Sequence, residues 1–138
     1  MRKTVFALLV LLIMTSFVNA QEKTETGKIY FLRSTGFQGS AVAFKTFIDG
    51  VFVCNLNNKK YSIHEVPVGK HECSVQFGGK TSKEKAEKFE IQVEPGKTTY
   101  VQLVFETGLF INNIYCEEIT ENTAKKKMEI MEEDTKCL

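Results

Sequence analysis

Tryptophan is absent from this 138-residue chain, and proline, histidine and aspartate each occur only twice. Two histidines (His64, His71) and two aspartates (Asp49, Asp134) leave little material for a metal cluster or a Ser-His-Asp triad. An excess of one charge is also missing: 18 basic against 17 acidic residues give +1. That balance excludes a strongly basic nucleic-acid binder and a polyacidic tail protein. Nor does any apolar run reach the ~20 residues that cross a bilayer as a helix. What is present is 43% hydrophobic residues, 11 Phe, 9 Gly and 4 Cys. Such a mixture is the composition of one small globular domain.

The first twenty residues read as an address. Arg2 and Lys3 precede an unbroken apolar run from Val5 to Met14, and Val18-Asn19-Ala20 closes it with a small residue. A positive start, a short apolar stretch and a small residue before the cut describe a secretory signal peptide. The expected organisation is a signal peptide over 1–20, a flexible leader over 21–26, a β-sandwich domain over 27–119 and a helical tail over 120–138. Removing the first twenty residues leaves 118, with 16 basic and 17 acidic groups and a formal charge of −1. All four cysteines (Cys54, Cys73, Cys116, Cys137) lie in that remainder, where an exported protein forms disulfides in any of three pairings.

From Gly27 onward, short apolar runs are cut by turn signals about every ten residues. Gly27 to Arg33 is rich in aromatic and β-branched residues and reads as a strand. Asp49-Gly50 between Ala41–Ile48 and Val51–Leu56 predicts a tight hairpin. Pro67-Val68-Gly69 between Lys60–Val66 and His71–Phe77, and Glu94-Pro95-Gly96-Lys97 between Phe89–Val93 and Thr98–Phe105, are expected to close two more. A last strand is expected over Leu109–Glu118. Thr120 is placed to cap a helix from Glu121 to Glu133, with Ala124, Met128 and Met131 on one stripe. The predicted fold is mainly β: an antiparallel β-sandwich (Ig-like or transthyretin-like) of about 7–8 strands with a short C-terminal helix leaning on a sheet.

The turns also carry a resemblance. Phe47-Ile48-Asp49-Gly50, then Tyr61-Ser62-Ile63-His64-Glu65-Val66-Pro67-Val68-Gly69-Lys70-His71, then Val93-Glu94-Pro95-Gly96-Lys97-Thr98-Thr99-Tyr100-Val101 occur in that order. Together they resemble a bacterial exported family catalogued as domain of unknown function 2846, over roughly residues 28–119. The resemblance implies a β-rich protein of the cell envelope, of the kind often labelled lipoprotein-like, and no assigned reaction. Val68 stands where the family's first turn usually has a second proline. No cysteine follows the apolar run, so the chain is expected to be exported, periplasmic or secreted, without a lipid anchor.

Tests for chemistry find little. Gly79-Lys80-Thr81 imitates the end of a phosphate-binding loop, but Ser74 stands where the earlier glycine is needed. Cys54, His64, His71 and Cys73 lack the close paired spacing of a zinc site, and no cofactor is expected. Strand parity puts Cys54 on a face with Phe52 and Leu56, and Cys73 with Val75 and Phe77. Both thiols then point inward, as core residues or as a Cys54–Cys73 disulfide. His64 lies opposite Tyr61 and Ile63 and is expected to face water. No catalytic residue is assigned. The loop from Ser34 to Gly39 carries Phe37 between glycines, either as a partner contact or folded back over the open end of the core.

Three functional readings follow. The first is a non-enzymatic binding or structural module of the envelope, with a protein or surface partner and no nucleic acid. The alternative is a small-ligand carrier or hydrolase-like enzyme with a polar site at the sheet ends, built from His64, His71 and Glu65. The third is a secreted factor whose methionine-bearing tail docks on a partner.

Overall fold

The computed structural model describes residues 24–37, 39–77, 88–109 and 112–137. The leader over 1–20 and the connection 78–87, with Gly79-Lys80-Thr81, lie outside them. The elements are β1 (Thr26–Arg33), β2 (Phe44–Ile48), β3 (Val51–Leu56), β4 (Lys60–Pro67), β5 (Gly69–Phe77), β6 (Phe89–Val93), β7 (Thr98–Thr107), β8 (Asn112–Ile119), a helix α1 (Glu121–Met128) and the short β9 (Glu132–Glu133). They form two sheets, ordered β8-β7-β1-β4-β9 and β3-β2-β5-β6. The fold is the expected mainly β sandwich with one short helix. Most pairs are antiparallel, but β1 runs parallel to β7 and β9 parallel to β4.

Between the sheets lies one apolar core, filled by Ile29, Phe31, Phe44, Leu56, Val93, Val101 and Leu103 among others. A second cluster lies on the far side of the five-stranded sheet. There Ala124 and Met131 pack on Leu32, edged by Met128, Tyr30, Tyr61 and Tyr100. Strand β1 is therefore covered on both faces, which is why it reads as a continuous apolar run and not as an alternation. Thr120 caps α1 as expected, its hydroxyl accepting from the Thr123 amide. The helix stops at Met128, short of the expected Glu133. Past it the chain extends, because Glu132 and Glu133 pair with Lys60 and Tyr61 at the open edge of β4. Lys60 Nζ also holds Glu132 Oε2 at 2.6 Å. The methionine stripe thus covers the protein's own sheet, and is not left free for a partner as the third functional reading required.

The Asp49-Gly50 hairpin forms as predicted, with both residues at positive φ (51° and 74°), the pattern of a type I′ turn. The other two motif turns are not hairpins. Strand β4 pairs with β1 while β5 pairs with β2 and β6, so Pro67-Val68-Gly69 carries the chain from one sheet to the other. Glu94-Pro95-Gly96-Lys97 does the same between β6 and β7. Both corners close on the start of β1. The Val68 amide donates to Glu25 O at 3.0 Å, the Gly96 amide to Thr26 O at 2.8 Å, and the Lys28 amide to Lys97 O at 2.9 Å. Proline and glycine signal that the chain turns, but not which strand the next segment pairs with. Gly27 sits inside this clasp: a Cβ there would lie 2.5 Å from Val93 Cγ1 and 2.6 Å from Glu94 O.

A bulge in β3 overturns one parity expectation. Thr46 faces Cys54 but Phe47 faces Phe52, so Val53 is the extra residue. Phe52 consequently leaves the Cys54 face and packs edge-on against Phe47 on the outside, with centroids 5.8 Å apart.

Candidate functional site

The two ends of the sandwich differ in chemistry. At the turn end, His71 on β5 reaches back to the Asp49-Gly50 hairpin. Its Nδ1 lies 2.7 Å from Asp49 Oδ2, and its Nε2 lies 2.8 Å from the Pro67 carbonyl oxygen. The Glu72 amide donates to Asp49 Oδ1 at 2.8 Å, and the Asp49 amide donates to Glu72 O at 2.8 Å. Both imidazole nitrogens face acceptors, an arrangement that only the doubly protonated ring satisfies fully. Burial pulls the His71 pKa down, but the bonds to Asp49 and Pro67 and the Asp49 charge outweigh it, and the net shift is upward. The Glu72 amide, working against partial burial, and then His71 hold the Asp49 carboxyl below its ordinary value. Residues of the resemblance-bearing segments therefore meet in space. What they do there is tie a hairpin to a sheet-crossing corner.

The expected polar trio is not assembled. Glu65 accepts from Thr26 Oγ1 at 2.6 Å, and His71 is engaged as above. His64 does not face water: its Nε2 lies 2.9 Å from the buried Ser62 Oγ, and its ring meets Phe31 edge-on at 5.7 Å. Burial lowers the His64 pKa, so this ring is neutral near pH 7. His64 does lie opposite Tyr61, on the face that carries the buried Ser62 and Val66. That face is the core face, and Tyr61 on the other side packs against the helix layer.

Arg33 dominates the loop end. It ends β1 on the core face, with the same parity as Ile29 and Phe31, and it is fully buried. Its Nη1 donates to Leu56 O and its Nη2 to Gly39 O, both at 2.6 Å, and the guanidinium lies 3.4 Å from the Phe44 ring centroid. Burial brings its pKa down to about 10, which keeps it charged at neutral pH. Arg33 is a site residue not singled out from the sequence; the signal for it is its strand parity with Ile29 and Phe31. The guanidinium anchors the 34–43 loop, and Asn58 Oδ1 anchors it again by accepting from the Thr35 amide at 2.9 Å. Gly39 then lies against the Phe105 ring.

Two large apolar side chains project at this end, Phe37 from the anchored segment and Leu109 from beyond β7. Phe37 and Leu109 are each 96% exposed. Phe37 therefore does not fold back over the core; Phe44, Phe77 and Phe105 close that end, with centroids 5.3–5.8 Å apart. A separate shallow cleft of about 310 Å³ lies on the outer face of the four-stranded sheet, lined by Lys45, Phe47, Phe52 and Gln76.

The cysteines pair differently from the expected Cys54–Cys73 bridge. Cys54 is bonded to Cys137, with Cα atoms 4.6 Å apart, and Cys73 and Cys116 are free and buried. Cys54 on β3 and Cys73 on β5 flank β2, opposite Thr46 and Ile48. Two strand spacings of ~4.8 Å put them beyond the ~7 Å that a disulfide spans. Both sulfurs do point inward, as expected. The Cys137 bond ties the tail to β3, as the β9 pairing ties it to β4.

Among the described residues, no group of three or more His, Cys, Asp or Glu is placed to hold a metal ion, and no helix is long and apolar enough to cross a membrane. A family model described as protein of unknown function, DUF2846, matches residues 23–116. No curated protein matches the chain.

Proposed function

The chain belongs to the DUF2846 family, and on that premise we propose that it is an exported, non-enzymatic binding module of the bacterial cell envelope, periplasmic or secreted, whose contact surface is the loop end. The observation that carries this reading is the pair Phe37 and Leu109, each 96% exposed on loops at one end of the sandwich. Exposed apolar side chains at one end of a sandwich are what a recognition surface needs, and the anchored base of the Phe37 loop reduces the ordering left to be done on binding. Burying both contributes about 3–6 kcal/mol, enough for the centre of an interface and too little for all of it.

Export is supported by the leader-like first twenty residues and by the Cys54–Cys137 disulfide, which suits an oxidising compartment. A binding role is favoured over catalysis because His71 and Asp49 spend their hydrogen bonds on backbone and on each other. The test combines fractionation of the native host with a Phe37→Ser/Leu109→Ser variant. The protein should leave the cytoplasm with its first twenty residues removed. The variant should melt at the wild-type temperature yet lose the crosslinked adduct that wild type forms in intact cells. An adduct unchanged in the variant would refute the surface; an uncut protein in the cytoplasm would refute export.

A further inference from the structure

With Cys54 and Cys137 joined, one pair of cysteines remains. Cys73 points into the core from β5 and Cys116 from β8, strands of opposite sheets, and both belong to the same apolar cluster. Cα atoms of β5 and β8 approach within 8 Å, closer than the ~10 Å between two stacked sheets. Burial raises the Cys116 pKa, and the charge of Cys73 adds to that rise.

We propose that Cys73 and Cys116 are a modification site: a facing dithiol that closes to a second, cross-sheet disulfide by exchange with an external disulfide. A bridge spans Cα separations up to ~7 Å, a range that strands already within 8 Å of each other can reach as the sheets move. Access comes through β8, the outermost strand of its sheet, whose opening uncovers Cys116 while the rest stays paired. In the closed core, burial pushes the Cys73 thiol up to about 12 and raises that of Cys116 as well, so exchange takes place during folding or edge opening.

In the first step the Cys116 thiolate attacks one sulfur of the external disulfide and displaces a thiolate. In the second, the Cys73 thiolate attacks the Cys116 sulfur of the mixed disulfide and displaces the other thiolate. Two protein thiols are oxidised, one external disulfide is reduced to two thiols, and the two protons pass to these.

The exchange needs only the protein and an external disulfide, so it is tested on the purified full-length mature chain. The reduced protein is refolded in mixed oxidised and reduced glutathione, alkylated under denaturing conditions, and mapped by mass spectrometry without reduction. The expected result is no alkylated cysteine, with linked peptides for 54–137 and 73–116. Alkylated Cys73 and Cys116 beside a closed 54–137 bridge would overturn the proposal, as would any other linkage. The Cys54→Ala/Cys137→Ser variant, which keeps only the second pair, should lose two hydrogens in mass and stay monomeric; persistence of both free thiols overturns the proposal equally.

Discussion

Opening the Cys54–Cys137 bond should be the most damaging conservative change in the molecule. The bond closes a loop of sequence separation 83. Chain-entropy loss from a loop of that length amounts to about 4.5 kcal/mol at 25 °C. Cys137→Ser removes that constraint while exchanging one atom at the periphery, and Cys54 left behind acts as a small buried hydrophobe. Losing the bond also frees the strap beyond α1, whose remaining ties are the two-residue β9 pairing, the Lys60–Glu132 ion pair and Met131. With a urea m-value of about 1.5 kcal/mol/M for a domain of this size, the midpoint should fall by about 3 M. Equilibrium unfolding followed by circular dichroism without reductant reads this directly. The Cys54→Ala/Cys137→Ser variant, which cannot scramble, should fall at least as far. A loss below about 1 kcal/mol in both variants would mean that this bond is not what ties the tail to β3.

Three further outcomes follow from the geometry. Gly27→Ala should cost about 2–3 kcal/mol in urea unfolding, because its Cβ would meet Val93 and the Glu94 carbonyl below 3 Å; a neutral result would show that the corner clasp is loose. Arg33→Lys should lose about 1–3 kcal/mol, since one ammonium cannot serve Gly39 O and Leu56 O together while stacking on Phe44; an unchanged melting temperature would contradict the anchoring role. The Asp49–His71 contribution has a pH window. His71 is shifted upward, so its share is full below about pH 6.5 and fades as pH rises through the raised value; Asp49 is shifted downward, so its share is full above about pH 4 and fades as pH falls through the lowered value. Stability relative to Asp49→Asn should therefore peak between those limits, and a difference flat across pH 4 to 8 would remove the pair from the account.

How far the sequence could be read is clearest at particular residues. Asp49-Gly50 names its own turn because only residues tolerant of positive φ fit there, and that hairpin formed as expected. Pro67-Val68-Gly69 and Glu94-Pro95-Gly96-Lys97 were equally visible as turns. Which strand each next segment joins depends on β1, far away in sequence, whose start both corners grip through backbone bonds that leave no mark on residue type. The burial of Phe31 was legible as an apolar run, whereas the bulge at Val53 that swings Phe52 outward was not. Arg33 was legible in principle through its parity with Ile29 and Phe31, but a charged residue on a core position reads as a strand end until its partners are seen. The Cys54–Cys137 pairing needed the tail's path along β4, and nothing in cysteine spacing encodes that path.

The loop end, with Phe37 and Leu109, is where a partner should be met. A photocrosslinking amino acid placed at position 37, and in a second strain at position 95 on the opposite end, tests it in the native host. Position 37 should give a discrete adduct that disappears with Leu109→Ser, and position 95 none. Adducts of equal yield from both positions, or an adduct from position 95 alone, would contradict it.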